Sequence, residues 1–176
     1  MFDRGFLHDI RGSACTNPAE TGAASPEIPA VLDRTVTNVL VRPVMADDEA
    51  QSLAAFTALK NASLVAISVH SLCELAWVLD RRYKVSRNDI ASAIRALCEA
   101  NNVVVNRPAV AAGLMLLEAG GDFAEGVIAF DGRSLGGDAF LSFDETAVGS
   151  LKAQGNAARP PGETANPSDR PRTFHD

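Results

Sequence analysis

The sequence predicts an α/β protein: three layers, α/β/α, around a mostly parallel central sheet of four or five strands. Two observations lead there. Short β-rich runs alternate along the chain with longer segments whose apolar residues recur at helical spacing. Cap and breaker residues fall at the junctions. Strands separated by helices cannot form hairpins and favour parallel pairing with helices on both faces. In such sheets the functional site lies beyond the carboxyl ends of the strands.

The first run is Val36, Val39, Leu40 and Val41, interrupted by Thr37 and Asn38 and closed by Pro43, which reads as a strand. Asp47, Asp48 and Glu49 load acids onto the start of a helix reaching about Lys60. Leu64 to Ile67 reads as a second strand. Ser68 or Ser71 is placed to cap a helix that runs to about Tyr83. Ser86 starts another, with Asp89 as a shortened capping-box acid and Ile90, Ala93, Ile94 and Leu97 on one face. Asn102 to Val105 is a third strand. Pro108 suits the first turn of a helix that stops at Gly120 and Gly121. Phe123 to Phe130 is helical, Ala139 to Phe143 is a fourth strand, and Glu145 to about Gln154 is a last helix.

Residues 1–32 carry Gly12, Pro18, Gly22, Pro26 and Pro29 without a sustained period and are expected to be a poorly ordered leader. Residues 33–154 form the domain, and residues 155–176, rich in Pro, Gly, Asn and Arg, are expected to be a disordered tail. With 47% hydrophobic residues the chain can bury a core, and its net charge of −6 excludes a general basic surface for phosphates. Cys15, Cys73 and Cys98 make an odd number without a C-x-x-C pair, which argues against a disulfide framework and for a cytoplasmic location. No stretch is apolar and long enough to cross a membrane. His8, His70 and His175 are scattered, which disfavours zinc.

Three acids stand in apolar surroundings. Glu74 is the single charge in Leu72–Leu79, Glu125 the single charge in Phe123–Phe130, and Asp144 directly follows the strand ending at Phe143. A buried carboxylate must be paired, protonated or bound to a metal. Each acid alone is explained by a local partner or, for Asp144, by helix capping. Gathered at one sheet edge, they would hold a hard divalent cation, Mg²⁺ or Mn²⁺, which suits phosphodiester hydrolysis. Asp122 is placed either to cap the Glu125 helix or to extend this cluster. Asn38, polar within an apolar run, is a candidate hydrogen-bonding residue of the site.

These segments resemble a known pattern. Thr35–Arg42 resembles the opening strand of PIN domains, in particular the VapC-type toxin ribonucleases, where the segment reads hydrophobic-Asp-Thr-Asn-hydrophobic-Leu-hydrophobic-Arg. Leu72–Tyr83 resembles the second motif, with Glu74 as its acid. Gly121-Asp122-Phe123-Ala124-Glu125 resembles the third, commonly Gly-Asp-Phe-Ala-Asp, and Phe140–Asp144 resembles the fourth. The likeness spans roughly Thr35 to Gln154, with the motifs in family order. It implies a PIN-like fold and an endoribonuclease dependent on Mg²⁺ or Mn²⁺, the toxin of a type II toxin–antitoxin pair. Glu74, Glu125, Asp144 and Asn38 would be catalytic, and Glu74, Asp122, Glu125 and Asp144 would hold the metal. RNA, a small VapB-like antitoxin and a second copy of the chain are the implied partners.

Two departures bear on activity. Val36 stands where the family has its first aspartate, and valine binds no metal. Glu125 stands where the third aspartate is usual, one methylene longer, and a displacement of about 1 Å can cost about 100-fold in rate. The alternative is therefore a catalytically inactive PIN-fold module that binds RNA or an antitoxin. Arg81, Arg82, Lys84, Arg87 and Arg95 form either a solvated helical surface or, if their helices make a hairpin, an arm that contacts RNA.

Overall fold

The computed structural model describes residues 36–163. Within them lie seven helices: α1 (Val36–Met45), α2 (Glu49–Asn61), α3 (Val69–Arg81), α4 (Arg87–Glu99), α5 (Arg107–Glu118), α6 (Phe123–Ser134) and α7 (Glu145–Ala153). The strands are β1 (Val65–Ala66), β2 (Val103–Val104), β3 (Phe140–Leu141) and β4 (Ala158–Arg159). They make two separate parallel pairs: Val65 faces Val103 in one, and Phe140 faces Ala158 in the other. The described residues are thus predominantly helical, and the central sheet of four or five strands is not formed.

The largest correction is at Val36–Val41, which is helical. Its β-branched residues favour a strand locally. Leu40, Val41, Val44 and Met45 are all buried, however, and that spacing is one side of a helix. Pro43 lies inside α1 rather than ending a strand. The Ala46 N–H closes the helix on the Arg42 carbonyl at 2.8 Å, and the Ser52 hydroxyl donates to the same carbonyl at 2.8 Å. A second correction concerns the segment expected to be a disordered tail from Gly155. Its described part carries β4, and the Ser142 N–H donates to the Arg159 carbonyl at 3.3 Å. The expected leader, residues 1–32, lies outside the described residues.

The described residues divide into two compact units, one ending at Asn106 and the other beginning at Arg107. In the first, α1 packs on α2 and α3, and α3 on α4. Capping fixes where these helices begin. Ser68 Oγ accepts from the Ser71 N–H at 3.1 Å. Ser86 Oγ accepts from the Asp89 N–H at 3.2 Å and donates to Asp89 Oδ2 at 2.8 Å, so the capping serine is held by the first-turn acid. Asn102 precedes β2 and donates to the Leu59 and Ala62 carbonyls at 2.9 and 2.8 Å, satisfying groups at the end of α2. Asp47 accepts from Arg42 at 2.8 Å and from the Tyr83 hydroxyl at 2.7 Å, tying the end of α1 to the turn after α3.

In the second unit α5 and α6 lie in close contact. A Cβ on Gly126 would stand 2.5 Å from the Ala112 carbonyl oxygen, and one on Gly113 would stand 2.6 Å from the Phe123 ring. Two absent side chains let the helices approach. Leu116, Ala147, Val148, Leu151 and Ala158 form a buried cluster that brings α5, α7 and β4 together.

Candidate acidic site

Asp122, Glu125 and Asp144 are brought together in the second unit by the beginnings of α6 and α7. Asp122 caps α6, its Oδ1 accepting from the Ala124 N–H at 2.7 Å. Asp144 caps α7, its Oδ1 accepting from the N–H groups of Thr146 at 2.8 Å and Ala147 at 3.1 Å. Glu125 sits in the first turn of α6. Its helix is held by the α5–α6 glycine contact at the neighbouring Gly126. Both helix starts place acids where the dipole is positive.

Ser142 links the two helices. Its hydroxyl donates to Glu125 Oε1 at 3.3 Å and accepts from the Asp144 N–H at 3.0 Å. Glu125 Oε2 is buried and has no hydrogen-bond partner. Burial pushes the Glu125 carboxyl above its ordinary value, and the charge of Asp144 pushes it further. The Ser142 hydroxyl and the Asp122 backbone act in the opposite direction, and the charge of Asp122 adds to the rise. The unpartnered oxygen and the raised carboxyl mark a place where a proton or a cation would be favoured.

The other expected site residues stand differently. Glu74 is exposed on α3, in the first unit. The buried stripe of α3 is Leu72, Leu75, Ala76 and Leu79, and Glu74 and Trp77 fall on its opposite side. Its apolar neighbours in sequence are therefore not its surroundings in space. Asp144 and Asp122 are also exposed, and Glu125 is half-buried. Asn38 and Val36 lie in helix α1 rather than on a strand, and their side chains are outside what the structure describes. Ser142 was not among the expected residues, although a serine two positions before a capping aspartate is a recognisable turn signal.

Among the described residues no group of three or more His, Cys, Asp or Glu side chains is gathered closely enough to hold a metal ion by themselves. Mg²⁺ commonly uses one or two carboxylates and keeps several waters. Cys73 and Cys98 are not disulfide-bonded. No helix among the described residues is long and apolar enough to cross a membrane. The chain matches no protein-family model, no curated protein and no solved structure.

Proposed function

We propose that this chain is a divalent-metal-dependent phosphodiesterase acting on RNA, with its site at Glu125, Asp144 and Asp122. The observation that carries the reading is the Glu125 carboxyl, raised by burial and by the neighbouring acids and left with one buried oxygen unpartnered. The resemblance of Gly121–Glu125 and Phe140–Asp144 to two acidic motifs of VapC-type toxins supports the same chemistry, whereas the Thr35–Arg42 segment is helical from Val36 on and Glu74 lies outside the site. Bound Mg²⁺ or Mn²⁺ would neutralise phosphate charge and lower the pKa of a water. Ser142 holds Glu125 Oε1 in place, and Asp144 is fixed in orientation by the α7 N–H groups it caps. The raised Glu125 carboxyl marks repulsion among the acids that a bound cation would relieve.

The reading extends to partners. Phe143 lies between Ser142 and Asp144 and is 85% exposed. A large apolar ring beside the acids favours a partner that covers the site, as a small antitoxin or a second copy of the chain would. The unbridged cysteines fit a cytoplasmic setting. A second reading is that the chain binds RNA or an antitoxin and cleaves nothing; it is favoured by the lack, among the described residues, of three grouped metal-ligating side chains.

Incubating RNA with the full chain in Mg²⁺ or Mn²⁺ tests both. Cleavage is expected, abolished by chelator and slowed about 100-fold or more in Glu125→Gln, the scale of a lost acid–base group. Retained RNA binding without cleavage by the parent chain supports the second reading. Cleavage indifferent to chelator and to Glu125→Gln overturns the first.

A further inference from the structure

We propose that the outer face of α3 and the turn leading into α4 bind a single-stranded nucleic acid, with Trp77 stacking on a base and Arg81, Arg82, Lys84 and Arg87 contacting phosphates. Trp77 is a large aromatic residue left 58% exposed on α3. Arg81 is four residues further along the same helix, so the two side chains are neighbours on one face. Arg82, Lys84 and Arg87 follow within the next turn and are all exposed. The chain as a whole carries a charge of −6, so this concentration of cations runs against its composition.

The turn is built rather than loose. The Tyr83 hydroxyl donates to Asp47 Oδ2 at 2.7 Å, and the Arg82 guanidinium lies 5.8 Å from the Tyr83 ring centroid. The Val85 N–H closes α3 on the Leu79 carbonyl at 3.0 Å. Lys84 adopts φ 54°, the left-handed position at the end of a helix where glycine or asparagine sits with least strain. A cation occupies that position instead. The acids nearby are Glu74, Asp80, Asp47 and Asp89. Asp80 lies 3.4 Å from Arg81, Asp47 is held by Arg42 and Tyr83, and Asp89 is held by Ser86. Aromatic stacking combined with cations that track the backbone is how single strands are bound without sequence preference, and Trp77 with the exposed Arg81 one helical turn on supplies both. A bare polyanion would need the cations but not the tryptophan.

This assignment does not depend on cleavage, because an inactive chain would still bind. Trp77 is the single tryptophan of the chain, so its emission reports this face alone. The full chain, in chelator, is titrated with fluorescein-labelled oligouridylate and, in parallel, unlabelled oligouridylate, oligothymidylate, heparin and phosphatidylserine vesicles. Both oligonucleotides are expected to quench Trp77 emission. Log affinity should fall with log salt at about −0.7 per neutralised phosphate, hence about −2 to −3 for three to four contacts. By anisotropy, Trp77→Ala should weaken binding roughly 5- to 150-fold at unchanged salt slope, the range for one lost stacking contact. The combined Arg81→Gln, Arg82→Gln, Lys84→Gln variant should flatten the slope. Because every substituted side chain is exposed, folding of each variant is checked by circular dichroism and is expected to be retained. Absence of binding, unchanged Trp77 emission at saturation, or unchanged affinity in Trp77→Ala overturns the proposal. Equal quenching by heparin, or a response to vesicles alone, also overturns it.

Discussion

Glu125 is the residue on which the candidate site turns. Two neighbours, Asp122 and Asp144, are explained by the helix starts they cap, whereas Glu125 has one oxygen held by Ser142 and the other buried without a partner. Its folded-state pKa lies above the ordinary 4.5, so around and above that pH the folded chain binds more protons than the unfolded chain. Stability therefore falls as pH rises through that window. In chelator, Glu125→Gln removes this loss, and its denaturation midpoint relative to the parent should rise as pH is raised above the ordinary glutamate value. Denaturant titrations at a series of pH values check this, and curves that stay parallel would count against a perturbed Glu125. The same residue shows what sequence reasoning could reach. Its isolation within Phe123–Phe130 was legible, as was its grouping with Asp122 and Asp144. Ser142, which connects them, is readable in the sequence only as a turn residue before a capping aspartate; its bond to Glu125, 17 residues away, depends on tertiary packing.

At the scale of elements, six of the seven described helices were legible: five starts carry capping or acidic residues, and α5 has Pro108 in its first turn. Helix α1 was not. Its valines outweighed the burial pattern Leu40, Val41, Val44 and Met45, which depends on α2 and α3 packing against it. Helix α3 was placed correctly, but Glu74 was assigned to an apolar environment from its sequence neighbours. The helix turns those neighbours inward and leaves Glu74 and Trp77 outside. The α5–α6 contact supplies a prediction of its own. Gly126→Ala puts a Cβ 2.5 Å from the Ala112 carbonyl oxygen and should destabilise by about 1–3 kcal/mol, the usual cost of overpacking. Gly132→Ala, on the same helix with nothing within 4 Å, should stabilise by up to about 1 kcal/mol through helix propensity. Thermal melts of the two variants should therefore shift in opposite directions. A shift of the same sign in both would contradict the close approach of α5 and α6.

For the whole molecule, alternation of strands and helices was legible but the extent of the sheet was not. Two-residue strands complete one parallel pair in each unit, and α1 supplies a helix where a further strand was expected. Pairing extent depends on which backbone edges meet, and local composition carries little of that information. A net charge of −6 leaves the acidic cluster with no general basic field to relieve it, so a bound cation would stabilise the folded chain by mass action, about 2.7 kcal/mol at a concentration 100 times Kd. The most direct test of the acidic site is a Mn²⁺ titration of the full chain followed by the paramagnetic resonance of the free ion. Saturable binding to the parent chain is expected, accompanied by a higher melting temperature, with both effects lost in Glu125→Gln. Mn²⁺ binding that survives Glu125→Gln unchanged, or no binding to the parent, would contradict it.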